Sequence, residues 1–252
     1  MSSRPLLVTD ADNTLWQTDE VFATAQLDLL QNVEEHYGLS VNAKDRLQFV
    51  REIDQALALR HPKRLMYPAN LLVQTIVSIM EIGEVDSAIN QVLQRERSDP
   101  KAESIANTFT KRVLNEIPRL RDGVATSVLR LAESRIRIVV FTEGNLSRCE
   151  RLLEEHRLSH YLSEVISGEK TAESYAVLRR RYQGPDQPLM VGDQIDRDIE
   201  LSKIAGFRTV HFPGGFNPVW TLNRPLIPDF VITNYEQVLT IMGVGVASAS
   251  AS

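Results

Sequence analysis

One cysteine stands among 252 residues, Cys149, so no intrachain disulfide can form. The opening residues, MSSRPLLVTD, have no apolar h-region ahead of a cleavage site, and a reducing cytoplasm is the expected address. No apolar run approaches the roughly 18 residues that read as a membrane span, so a soluble chain with no membrane partner is expected. An excess of positive charge is missing too. Lys and Arg number 28 against 33 Asp and Glu, a net charge of -5, which removes the electrostatic reason to expect nucleic acid, and a basic substrate is equally unsupported. His36, His61, His156, His160 and His211 lack metal-ligand spacing, and no internal repeat stands out.

The chain has enough length to bury a sizeable core, as one large domain or as a core with a smaller companion. Hydrophobic residues at 43% and charged residues at 24% exclude a disordered chain. Between residues 18 and 118 the apolar spacing is helical: Phe22, Ala25, Leu29 and Val33 share a face, as do Leu47, Val50 and Leu57, and Ile105, Phe109 and Val113. Gly38 stops the first helix, Asn42 is placed to cap the second, and Asp99 followed by Pro100 is a cap with proline at the first helical position. From about residue 120 short Val- and Ile-rich runs, at 136–142, 161–167, 188–193, 208–212 and 229–233, alternate with helical stretches around 124–134, 146–157, 172–182, 197–205 and 235–242. That alternation predicts a parallel sheet covered on both faces. LLVTD, residues 6–10, adds a further strand, so the fold expected is α/β, a Rossmann-like core at 1–17 and 118–243 interrupted by an all-helical cap at 18–117. The small, polar tail at 244–252 is expected to be disordered.

In open parallel sheets chemistry gathers at the carboxyl ends of the strands. Asp10 and Asp12 follow LLV, Thr142 and Glu143 follow IVVF, Lys170 comes three residues after EVIS, and Asp193 follows LMVG with Asp198 five positions on. Like charges about 4 Å apart repel by roughly 4 kcal/mol at an effective dielectric near 20, so converging carboxylates need a cation. Oxygen ligands without His or Cys favour a hard ion, and Mg²⁺ is the usual choice beside phosphate. A carboxylate can attack phosphorus, a neighbouring acid can protonate the leaving oxygen, and Thr142 and Lys170 supply a hydroxyl and a positive charge. Backbone N–H groups of the turns at 11–14, including Ala11, and at 143–145, including Glu143, are placed to receive phosphate.

DADNT resembles the DxDxT signature of the haloacid dehalogenase superfamily, and Thr142, Lys170 and VGDQIDRDIELSKIAGF match its second, third and fourth motifs in order. The resemblance covers residues 6–16 and about 120–240; the cap agrees in position and helical character. It implies a Rossmann-like core, a C1-type helical cap and Mg²⁺-dependent phosphate chemistry on a small phosphorylated metabolite. By the same resemblance Asp10 is nucleophile and metal ligand, and Asp12 is general acid and base, lending its backbone carbonyl to the metal. Thr142 and Lys170 bind the phosphoryl group, and Asp193 and Asp198 complete the metal site. The cap would close over the site and select the substrate. Members that break carbon–halogen bonds typically lack an acid at the position of Asp12, so the resemblance points to a phosphatase, with a phosphomutase, a phosphonate-cleaving enzyme or a noncatalytic binding member as alternatives. Asn13 and Glu143 depart from the glycine and asparagine common among relatives. Asn13 tolerates a left-handed turn, while Glu143 adds negative charge beside the expected phosphate site, with a narrowed substrate range, a weakened activity or an outward-pointing side chain as the alternatives.

Other readings are weaker. A calcium loop starting at Asp10 would place Leu15 and Val21 where Gly and Glu are needed. Asp196 is read as a cap of the following helix, and Cys149, on one helical face with Leu146 and Leu153, as a packed thiol. RHPKR, residues 60–64, fits a solvated loop, with an anion-binding role as the alternative. NLLVQTIVSIMEIG, residues 70–83, fits the cap interior, with a substrate pocket or a homodimer interface as alternatives.

Overall fold

The computed structural model describes residues 4–62, 64–95, 99–182, 186–215, 217–221 and 227–245. Its contacts divide the chain into two compact units. One holds the residues up to Asp19, Ile117–Asn217 and those from Thr221 onward; the other holds Glu20–Glu116 together with Pro218–Trp220.

Among the described residues the first unit is built on six parallel strands: β1 (Leu6–Thr9), β2 (Arg137–Thr142), β3 (Glu164–Ser167), β4 (Leu189–Gly192), β5 (Arg208–His211) and β6 (Phe230–Val231). Their order across the sheet is β3-β2-β1-β4-β5-β6, with Val8 opposite Val139 on one side and Met190 on the other. The strands read as near-continuous apolar runs because both faces are covered, and the period of two sorts their side chains between two cores. Leu7, Ile138, Val140, Leu189 and Val191 join Val128, Leu131, Leu152, Leu153 and Val238. Those partners come from α6 (Val124–Glu133), α7 (Leu146–Glu155) and α10 (Gln237–Ile241). Leu6, Val8, Val139, Phe141 and Met190 face the other way, onto Tyr175 and Leu178 of α8 (Ala172–Arg181) and onto Phe207. Cys149 is buried in the first of these cores, as a packed thiol.

This is the α/β architecture expected from the sequence, with the helical insertion falling between β1 and β2. Three local readings differ. Residues 161–163 are not strand: Ser159–Tyr161 form a 3-10 turn and β3 starts at Glu164. The last strand is only two residues long. The helix expected at 197–205 is instead a π-helical turn, Ile195–Ile199, running into a short α9 (Glu200–Ile204).

The second unit is helical: α1 (Thr18–Tyr37), which belongs to it from Glu20 onward, α2 (Arg46–Arg60), α3 (Ala69–Ile82), α4 (Val85–Leu93) and α5 (Pro100–Asn115). α3 is its central helix, with every side chain from Leu72 to Ile79 buried, so this run lies in the interior of the unit. Gly38 has φ +66 directly after α1, and Asp99 caps α5 with Pro100 behind it. The cap of α2 is Asp45, not Asn42. Its carboxylate accepts the Gln48 N–H at 2.9 Å and sits directly before the helix, where a negative charge also complements the dipole. Of RHPKR, Arg60 pairs with Asp86 at 2.5 Å, Arg64 lies over the Trp220 ring and Lys63 is outside the described residues. Of the tail, residues 246–252 are also outside them.

Candidate active site

The strand order reverses direction at β1, and the crevice beyond the carboxyl ends of β1 and β4 is where such sheets hold ligands. Asp10 follows β1 directly and is fixed there by its backbone N–H, which donates to the Val191 carbonyl at 2.9 Å. Asp193 comes directly after β4. Asp198 arrives from the π-helical turn. Its N–H donates to the Gln194 carbonyl at 2.9 Å and that of Ile199 to the same carbonyl at 3.3 Å, a widened turn that swings Asp198 back over Gly192. A Cβ at position 192 would lie 2.3 Å from the Asp198 Cγ, so only glycine permits this approach.

The three carboxylates meet. Asp10, Asp193 and Asp198 are buried, and each offers an oxygen within 4.8 Å of the others. Lys170, placed just ahead of the Thr171 cap of α8, donates from Nζ to Asp10 Oδ1 at 2.5 Å and to Asp198 Oδ1 at 2.6 Å. Asp198 Oδ2 accepts the Gln194 N–H at 3.0 Å. Both Asp193 carboxylate oxygens are buried without a hydrogen-bond partner among the described residues. When ionised, three carboxylates against one ammonium leave two negative charges over, and two orphaned oxygens point to a missing ligand. An all-oxygen set with that excess fits a hard divalent cation.

Burial raises the pKa of Asp10 to about 7 against the opposing pull of Lys170. Burial, with Asp10 and Asp198 adding repulsion, drives Asp193 well above the ordinary carboxylate range. For Lys170 burial disfavours the charge, yet Asp10 and Asp198 outweigh it and hold the lysine well above its ordinary range.

Asp12 stands apart from this cluster. Its Oδ1 accepts from Trp16 Nε1 at 3.0 Å, Thr18 Oγ1 at 2.6 Å and Arg148 Nη1 at 3.1 Å, and its side chain is 34% exposed against 6% for Asp10. The connecting turn folds onto the Ala11 carbonyl, which receives the N–H of Leu15 at 2.8 Å, and Asn13 takes φ 56, the left-handed conformation expected of it. Thr142 is buried at the end of β2, and its Oγ1 accepts the Gly144 N–H at 2.9 Å. A Cβ at Gly144 would lie 2.9 Å from Asp12 Oδ2 and 3.1 Å from Thr142 Oγ1, filling the space between them. Glu143 does not point outward. Its carboxylate accepts from Arg197 Nε and from the Lys170 N–H, each at 2.9 Å, and from Arg197 Nη2.

All eight residues singled out from the sequence, Asp10, Ala11, Asp12, Thr142, Glu143, Lys170, Asp193 and Asp198, lie in the first unit, within or just beyond the carboxyl ends of β1 to β4. Asp196 is no helix cap: it lies inside the π-helical turn, and the side chain that meets an N–H there belongs to Asp198. Sequence reasoning missed Trp16, Thr18, Arg148 and Arg197. Trp16 and Thr18, four and six positions beyond Asp12, carried a local signal; the arginines depend on how α7 and the π-helical turn are oriented.

Known proteins bear on this arrangement. Phosphoglycolate phosphatase of Vibrio cholerae is 26% identical over 149 residues, 55% of this chain, and glyceraldehyde 3-phosphate phosphatase of Pyrococcus furiosus is 26% identical over 136 residues, 51% of it. The matches span 66% and 55% of those relatives' own lengths. A Bacillus subtilis protein, YfnB, described as a HAD-hydrolase and solved with magnesium bound, superposes with a TM-score of 0.65 at 17% identity, covering 96% of this chain and all of that one. A 2-haloacid dehalogenase from Pseudomonas syringae superposes with a TM-score of 0.55 at 20% identity over 95% of this chain and 98% of its own, so the shared fold does not choose between phosphate and halide chemistry. The model of the haloacid dehalogenase-like hydrolases matches residues 5–206, from the first strand to just past α9, and the chain belongs to that family.

Proposed function

We propose that the protein is a Mg²⁺-dependent phosphatase that hydrolyses a small phosphomonoester through an aspartyl phosphate on Asp10. The observation that carries this reading is the division of labour among the carboxylates: Asp10, Asp193 and Asp198 share one buried cluster with Lys170, while Asp12 is held outside it and half-exposed. Asp10, Asp193, Asp198 and the Asp12 backbone carbonyl would hold Mg²⁺. When bound, the ion neutralises charge on the transferring phosphoryl group.

The chain's own residues account for the remaining steps. Asp10 Oδ attacks phosphorus while Lys170 fixes the carboxylate's orientation. Thr142, with the backbone N–H groups of Ala11 and Glu143, receives the phosphoryl oxygens. Asp12 gives its proton to the leaving oxygen, then takes one from the water that attacks the aspartyl phosphate, returning the enzyme to its starting state. A leaving halide would need no such proton, so an acid positioned by Trp16, Thr18 and Arg148 favours phosphate esters over carbon–halogen substrates. The activities named for the relatives place phosphoglycolate and glyceraldehyde 3-phosphate first in the panel to be tried.

The test is release of inorganic phosphate from a metabolite panel and from p-nitrophenyl phosphate with Mg²⁺. Turnover that persists at the wild-type rate in Asp10→Asn rejects the mechanism. Phosphate transfer back to substrate without release would identify a mutase.

A further inference from the structure

Glu143 brings a negative charge to the residue beside Thr142, where the proposed phosphate site needs the opposite. Its carboxylate is saturated by the Arg197 fork and by the backbone N–H of Lys170. The three groups come from three separate segments: the end of β2, the loop ahead of α8, and the π-helical turn that carries Asp198. The pair is largely shielded, with side chains 29% exposed for Arg197 and 23% for Glu143. Asp196 and Glu169 also act on Arg197, so its guanidinium faces three acidic side chains.

We propose that Arg197 is a positioning residue for phosphate binding: it neutralises Glu143 and turns that carboxylate away from the phosphoryl site, joining the segments that carry Thr142, Lys170 and Asp198. The proposal rests on the phosphatase reading. It differs from a simple structural clamp in one respect. A clamp is broken equally by removing either partner, whereas a counter-charge is missed only while the charge it neutralises is still present.

Calorimetry of inorganic phosphate binding to the full-length protein in saturating Mg²⁺ separates the two. Arg197→Gln is expected to weaken phosphate about tenfold, because the Glu143 carboxylate is left uncompensated. Glu143→Gln loses less, and the double variant Glu143→Gln/Arg197→Gln regains most of the affinity lost in Arg197→Gln. Arg197→Lys, which keeps the charge but not the two-point fork, also loses less than Arg197→Gln. Equal losses in both single variants and the double variant overturn the proposal, as does unchanged affinity in Arg197→Gln. Should Arg197→Gln fail to fold, thermal melting of the double variant decides: recovered folding supports the counter-charge, and a second unfolded protein overturns it. A wild type that neither binds phosphate nor hydrolyses any phosphomonoester rejects the phosphatase reading itself; a flat series in a phosphate-binding wild type rejects only the role of Arg197.

Discussion

Asp10 and Asp12 are two residues apart, yet one carboxylate lies at the bottom of a buried cluster and the other reaches solvent. The chain leaves β1 after Thr9 and turns through Asn13, so Asp10 stays beside β4 while Asp12 is carried to Trp16, Thr18 and Arg148, and this separation suits a nucleophile and a proton carrier. Asp12→Asn therefore has a diagnostic outcome. With p-nitrophenyl phosphate the leaving group departs without a proton, so the first half-reaction survives, but activation of water for the second is lost. A burst of about one equivalent of p-nitrophenol per active site should precede turnover slowed by roughly 10²–10⁴-fold. Rapid-quench or stopped-flow absorbance reads it, and a steady rate with no burst contradicts the assignment of both half-reactions to Asp12. At this scale the sequence was informative where function is local. Asp10, Thr142, Lys170 and Asp193 are each legible from their place at or just beyond a strand end, because the strand itself aims them. Arg148 and Arg197 were not legible, since a long arginine finds its carboxylate only after α7 and the π-helical turn have been packed in place.

The π-helical turn is the element on which the acidic cluster depends. Apolar spacing from Ile195 through Ile199 suits an ordinary helix, and periodicity alone cannot report one extra residue in a single turn. What the sequence did hold is Gly192, the residue that lets the turn fold back, and its meaning emerges only when Asp198 is seen against it. Gly192→Ala forces a methyl to within 2.3 Å of the Asp198 Cγ, so the turn must shift. The expected cost is about 1–3 kcal/mol of stability, typical of overpacking, with weaker Mg²⁺ binding because Asp198 leaves its position beside Asp10. Denaturant unfolding with and without Mg²⁺ checks both parts. Unaltered metal affinity in a folded variant would show that Asp198 is not held by this close approach. The same limit explains Asn42 and Asp45. Both are good caps, and only the helix start at Arg46 selects between them.

For the whole molecule, the carboxylate cluster makes stability a function of pH and of metal together. Burial raises Asp10 to about 7, far above the 3.8 ordinary for the residue, and Asp193 moves in the same direction. A carboxyl whose folded pKa is raised binds its proton more tightly in the native state, so its contribution is full below about pH 4 and is lost as pH rises through about 7. For Asp10 the loss is on the order of 4 kcal/mol in the metal-free protein. A divalent cation takes the place of those protons. Its binding must then release protons and strengthen as pH rises, by up to about tenfold per pH unit for each proton released, until the carboxyls are ionised without it. The increase in melting temperature produced by saturating Mg²⁺ should therefore be larger at pH 8 than at pH 6, and calorimetry in buffers of different ionisation enthalpy should detect proton release near pH 7. An Mg²⁺ stabilisation that is independent of pH over this range would mean that Asp10 and Asp193 are already ionised in the metal-free protein. In that case Lys170, through its contacts with Asp10 and Asp198, and not burial, governs the charge of the site.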